Sequence, residues 1–166
     1  MTRSAVYAAE DQWSALLDRG GVVDFFGSRL DVPQQRRFAD IESVRRYVEQ
    51  VLALADVQQA FPNPAPVSVR ERAGQTKAHY EPDQQVIALP MKSTQAMWAG
   101  REAVVLHELA HHLSVGRGLV PGTDDWHGPE YRLTMCGLVA AVLGESAALL
   151  LRAGYAECGV PVSVAP

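Results

Sequence analysis

Between about Ser4 and Leu17, Val6, Trp13, Leu16 and Leu17 recur at helical spacing and Gly20-Gly21 follows, which predicts an opening helix with a glycine stop. The next apolar run, Val22 to Phe26, predicts a strand, and Asp31-Val32-Pro33 a turn into a polar loop. Asp40 is placed to cap a long helix to about Ala60, along which Ile41, Val44, Val48, Val51, Leu52 and Ala55 keep the helical period. Phe61-Pro62-Asn63-Pro64-Ala65-Pro66 ends it, because proline has no amide hydrogen and crowds the preceding turn.

Beyond the prolines the period shortens to two. Val67 and Val69, Ala78 and Tyr80, then Val86, Ile87 and Leu89 after a Glu81-Pro82-Asp83 turn predict a small antiparallel sheet. Pro90 closes its last strand, Ser93 or Thr94 can cap a helix that runs to about Leu113, and Gly116 and Gly118 end that helix. A loop through Pro121-Gly122-Thr123-Asp124-Asp125 leads to Trp126-His127, and Pro129 with Glu130 beside it opens another helix. No charge interrupts Leu133 to Leu143, so this helix is expected to lie buried behind the previous one. Gly144 separates a last short helix, and the tail after Gly159 is expected to fray. The pattern describes one α+β domain: a helix-rich part over 1–65, a sheet and site core over 66–144, and a short helix with tail over 145–166.

Composition agrees with that picture. The chain of 166 residues is long enough to bury a core without disulfides, and 48% hydrophobic with 20% charged residues is ordinary for a globular domain. A net charge of −4 gives no general attraction for nucleic acid or an anionic membrane, and the arginines Arg36, Arg37, Arg45 and Arg46 are interleaved with acids. The longest apolar stretches, near Leu138 to Leu143 and Ala147 to Leu151, are too short to span a bilayer, and Met1 to Trp13 lacks the apolar core of a secretory signal. Two cysteines, Cys136 and Cys158, are expected to stay unpaired, which suits a reducing, cytoplasmic setting.

The chemistry concentrates at His107-Glu108-Leu109-Ala110-His111. On a helix His111 lies about 40° around from His107, so both imidazoles can reach one metal ion, and Glu108 stands beside them as a base for water. His112 projects roughly 100° further, which makes it a packing or substrate-side residue, or a support for a ligand, rather than a ligand itself. A catalytic zinc takes three protein ligands and leaves one position open. Ser114 and Arg117 stand where a metzincin needs glycine and histidine, and no cysteine precedes the motif as a deformylase-like site requires. Glu130 is the thermolysin-like alternative for the third ligand; His127, across a glycine-rich return loop, is the preferred one. Asp124 and Asp125 are placed either to orient an imidazole or to cap the next helix. Tyr131, His112, Tyr80 and Arg132 are candidate oxyanion donors. The strand from Gln85 to Leu89 is a candidate for edge pairing with an extended peptide, and Trp98 and Trp126 for core or cleft wall.

His107-Glu108-Leu109-Ala110-His111 followed by His127-Gly128-Pro129-Glu130-Tyr131 resembles the motif pair of the SprT-like (Spartan-related) zinc metalloproteases, whose second motif reads His-Gly-Pro-Glu-Phe, and is more similar still to a small actinobacterial group of metallohydrolases. The resemblance covers about Lys77 to Val142 and leaves the first 65 residues outside. It implies a zincin-like fold in which the sheet packs on the site helix, zinc on His107, His111 and His127, Glu108 as general base, and a peptide or protein substrate. The chain departs from the DNA-associated members in having neither a zinc ribbon nor a basic surplus, so DNA dependence does not carry over. A metal-binding regulatory module and a small-molecule amide hydrolase are the competing readings, separated by whether Glu108 is needed and by the length of the cleft.

Overall fold

The computed structural model describes residues 2–92 and 94–162 and has the mixed α+β composition read from the pattern. The first helix, α1 (Thr2–Arg19), buries Val6, Ala9, Glu10, Trp13, Ser14 and Leu17 on one face. A two-stranded antiparallel ribbon follows, β1 (Gly21–Phe25) with β2 (Ser28–Val32). The second strand was not expected, and Val32 lies within it rather than in a turn. The connection is a two-residue turn, Phe26-Gly27, both at positive φ (49° and 83°), with the Gly27 amide donating to Asp24 Oδ1 at 3.2 Å. Phenylalanine at a position that usually holds asparagine or glycine hid the hairpin from the pattern.

The long helix expected from Asp40 to Ala60 is two helices, α2 (Ile41–Ala53) and α3 (Ala55–Ala60), with Asp40 capping the first through Ser43 N at 2.7 Å. Leu54 turns extended between them (ψ 135°), though neither glycine nor proline is present. At about 100° per residue, Val57 on a straight helix would point roughly 150° away from the buried stripe of Val44, Val48 and Val51. The break at Leu54 returns Val57 to the core, where it is fully buried.

β3 (Ser68–Glu71), β4 (His79–Glu81) and β5 (Val86–Leu89) form a sheet in the order β3-β5-β4. It is mixed rather than antiparallel: β4 pairs antiparallel with β5, and β3 parallel with it. The segment 72–78 carries the chain past the place β5 will take, and Val86-Ile87-Ala88-Leu89, apolar on both faces, occupies the centre. Both edges of β5 are therefore filled, which removes Gln85–Leu89 as a template for an incoming peptide. The free edge nearest the site helix belongs to β4.

The expected cap at Ser93 or Thr94 does not start the site helix. Ser93 lies outside the described residues, Thr94–Gly100 forms a 3-10 turn, and the helix α4 (Glu102–Gly116) begins after Arg101. Glu102 anchors that start, accepting from Arg36 N and Arg36 Nη1 at 2.9 Å and from the Tyr47 hydroxyl at 2.5 Å. A second 3-10 turn (Asp124–His127) leads into α5 (Pro129–Leu143), and α6 (Glu145–Glu157) follows Gly144 at φ 96°. α5 lies against α4, α3 and α6, as its uncharged sequence required, and α1 packs on α6. Trp13 closes that last contact with an indole N–H to Ala147 O at 2.9 Å. Cys136 is buried, both cysteines are free, and no described helix is long and apolar enough to cross a membrane. Of the expected frayed tail, residues 163–166 lie outside the described residues.

Candidate metal centre

Three buried imidazoles converge where α4, the second 3-10 turn and α1 meet. His107 and His111 are one turn apart on α4, and His127 closes the Asp124–His127 turn. Their Nε2 atoms lie 3.2 Å (His107 to His111), 3.2 Å (His111 to His127) and 3.4 Å (His127 to His107) apart. Nitrogens bound tetrahedrally to zinc at 2.0–2.1 Å stand about 3.3–3.4 Å from one another, so this donor set fits one such ion without rearrangement. Among the described residues, no acidic side chain or thiol joins the three histidines.

The return loop explains how His127 arrives. Just past the end of α4 the chain turns at Gly118, φ 98°, and turns again at Gly122, φ 76°. At Gly128 the limit is steric, since a Cβ there would meet Asp125 O at 2.9 Å and Asp125 Cα at 3.1 Å. The Gly128 amide donates to that same carbonyl at 2.7 Å, Pro129 starts α5, and Arg132 Nη1 donates to His127 O at 2.7 Å. Backbone and guanidinium together hold the imidazole in place.

Two of the rings are oriented from behind. His107 Nδ1 donates to Glu10 Oε2 at 2.5 Å, and Oε1 of that carboxylate accepts from Tyr155 at 2.6 Å and Tyr131 at 3.1 Å. An N–H on Nδ1 leaves the Nε2 lone pair facing the cluster. Burial opposes the charged form of Glu10, but the His107 imidazole and these hydrogen bonds carry its carboxyl below the ordinary range. Burial likewise opposes a charge on His107, and Glu10 outweighs it and raises the imidazole pKa. His111 has no hydrogen bond on its buried Nδ1. Aromatic stacking holds it instead, with Trp126 at 4.2 Å and 6° and Tyr131 at 4.4 Å and 28°. Burial, with the neighbouring His107, pushes His111 well below the normal imidazole pKa and His127 down to about 4. Both are kept as neutral donors.

Glu108 is buried beside the cluster, and burial raises its pKa while the nearby imidazoles His107 and His79 act against the shift. Two cavities meet over it. One, of about 650 Å³, is lined by His111, His127, Trp126, Thr123 and the β4 residues His79 and Tyr80. The other, of about 480 Å³, runs along α4 toward its N-terminus past Val104, Ala103, Trp98 and Lys77. Arg3, Tyr7, Ala78 and Glu108 line both, so α1 forms one wall of a continuous cleft and the approach to β4 the other. Tyr7 stacks on His107 (5.1 Å, 21°), with the Arg3 guanidinium 5.6 Å above its ring.

The remaining residues singled out in the sequence take other places. Glu130 is exposed and lines a separate cavity with Ser114, Arg117 and Thr134, which removes it as a ligand. Asp125 is exposed and contributes its carbonyl to Gly128 rather than a carboxylate to His127; the Asp124 side chain lies outside the described ones. Tyr131 is buried behind the rings with its hydroxyl 2.7 Å from His107 Nδ1. His112 Nε2–H donates to Ala65 O at 2.8 Å, leaving Nδ1 to accept from the Tyr80 hydroxyl at 2.8 Å. Arg132 is spent on His127 O and Pro161 O. Tyr131, His112 and Arg132 do not line the cleft, and Tyr80 lines it with its hydroxyl given to His112, so none of the four is a free oxyanion donor. Glu10, Tyr7, Arg3 and Tyr155 were missed. One signal was available: Glu10 falls on the stripe of Val6, Ala9, Trp13 and Leu17, and a carboxylate on a core stripe needs buried partners.

Compared with family models, curated proteins and solved structures, the chain matches none.

Proposed function

We propose that this chain is a zinc-dependent metallopeptidase of zincin-like form, as its SprT-like motif pair implies. The observation that carries the reading is the convergence of the His107, His111 and His127 Nε2 atoms within 3.4 Å of one another beside a buried glutamate on the floor of an open cleft. A metal kept only to hold the fold is normally closed off by a fourth protein ligand. The group among the described residues comprises three histidines, and all three line the cleft together with Glu108. Three imidazoles suit zinc, as they suit copper, iron and nickel, rather than magnesium or calcium, and zinc is the ion the motif pair implies.

Zinc, when bound, supplies a Lewis acid that acidifies water and polarises a carbonyl oxygen. Glu108 carries the proton: raised by burial, its carboxylate takes one from the attacking water and returns it to the departing amine. Glu10 keeps His107 in the tautomer that exposes Nε2. Tyr7 and Arg3 face the cleft and are the donors placed to stabilise negative charge as it develops. The free edge of β4, with Ala78 just before it, offers backbone groups to an extended chain, and space on both sides of Glu108 favours a peptide over a compact amide.

Zinc content and cleavage of a peptide library, measured for the wild type, His127→Ala and Glu108→Gln, test this reading. Stoichiometric zinc and cleavage are expected in the wild type, zinc without cleavage in Glu108→Gln, and loss of both in His127→Ala. Full zinc in His127→Ala removes the ligand set, and unchanged cleavage by Glu108→Gln removes the mechanism.

A further inference from the structure

The two halves of the cleft differ in chemistry. From Glu102 through Ser114, Val104 is the one residue of α4 that is not buried. It stands one turn before Glu108 and opens into the 480 Å³ cavity, joined there by Ala103, Ala78, Tyr7 and Trp98. The Trp98 indole N–H donates to Gln75 O at 3.0 Å, so the ring offers the cavity an apolar surface with its polar edge occupied. Two polar groups at this end are engaged elsewhere, Glu10 with His107, Tyr131 and Tyr155, and Arg101 with Asp18 at 3.6 Å, although the buried Arg101 Nε has no partner. Arg3, Lys77 and Asp11 supply charges of both signs to the lining and give it no single sign. The opposite half is lined by histidine, threonine and glycine around Trp126.

An apolar floor one helical turn from the general base, in a cavity large enough for an aromatic ring, is a side-chain subsite. We infer that this cavity is the specificity pocket and that it takes a large apolar side chain, aromatic or branched aliphatic, from the substrate residue flanking the cleaved bond. The inference rests on the peptidase reading for what it calls substrate, and on Val104, Trp98 and their neighbours for the selectivity. Val104 sets the depth and Trp98 the wall. A charged side chain entering here would give up hydration and meet Arg3, Lys77 and Asp11 together, so that attraction to one sign is offset by repulsion from the other.

Binding tests it independently of turnover. The full chain carrying Glu108→Gln, with and without added Zn²⁺, is titrated with acetyl-Ala-X-Ala-amide peptides (X = Phe, Leu, Glu or Lys) while the Val104 and Ala103 methyl resonances are followed. Phe and Leu peptides are expected to bind at least about tenfold more tightly than Glu and Lys, the range an apolar pocket gives, and to shift those methyls. Val104→Trp, which fills a cavity rather than the core, should abolish the difference with an unchanged circular dichroism spectrum. Trp98→Ala should shrink it. Equal binding of all four peptides, preference for a charged X, no detectable binding, or discrimination that survives Val104→Trp overturns the pocket. Absence of cleavage by the zinc-loaded wild type would remove the peptidase reading and leave this binding result standing.

Discussion

Glu10, in the first helix, accepts a hydrogen bond from the Nδ1 of His107, 97 residues later in the chain. Helix α1 lies outside the segment that carries both histidine motifs, yet it supplies the back support of one imidazole and the wall facing β4. Replacing Glu10 by glutamine keeps an acceptor for the tyrosine hydroxyls and removes the charge. Zinc affinity, read by competition with a chromophoric chelator, is expected to fall about 10- to 100-fold with the fold intact. An unchanged affinity would make Glu10 a packing residue only.

Zinc should stabilise the chain. An ion bound by the native state alone adds about 2.7 kcal/mol when its free concentration is a hundredfold above its dissociation constant. The thermal midpoint is expected to rise with added Zn²⁺ and to return with a chelator, and in His127→Ala the rise should be lost. A midpoint indifferent to zinc in the wild type would contradict the geometry of the cluster.

Glu108→Gln should bring down turnover of any substrate by about 10²- to 10⁴-fold while zinc content stays at the wild-type level, because glutamine cannot accept the water proton. Tyr7→Phe retains the ring that stacks on His107 and loses only the hydroxyl. A fall in kcat of about 10²-fold with KM little changed is expected if that hydroxyl meets the developing charge.

Burial pushes the Cys136 thiol up to about 12, so at pH 8 it is protonated as well as enclosed. Cys158 is partly exposed. A thiol-specific chromogenic reagent should therefore titrate one thiol in the native protein and two in denaturant. Two reacting in the native state would mean that α5 is less enclosed than described.

Trp13→Ala empties the contact between α1 and α6 and leaves Ala147 O without its donor. A loss of about 3–5 kcal/mol is expected from urea unfolding with an unchanged slope. Trp13 sits one turn from Glu10 on the same face of α1, so zinc affinity should fall with it.

What could be read in advance follows physical range. Helical periodicity places α1, an uncharged apolar run places α5 and the Gly144 break places α6, because each is a local property of its segment; the helix carrying the histidine pair is placed as well, with its start read too early. The histidine pair on α4 is local too, and His127 follows from the two motifs taken together. The split at Leu54 and the parallel pairing of β3 with β5 depend on what packs against them, and no period encodes that. The partners of Glu10 are the clearest case: the sequence shows a carboxylate on a core stripe, but which imidazole and which hydroxyls satisfy it is decided by the packing of α1 against α4, α5 and α6.

The bond from Tyr80 to His112, continued from His112 to Ala65, runs as a strut from β4 through α4 to the proline segment. It fixes the width of the gap from that side. An aperture braced in this way has little freedom to narrow around a guest, so a bound peptide should leave the backbone of β4 and α4 where the free protein has it, and discrimination among guests falls to the contours already present.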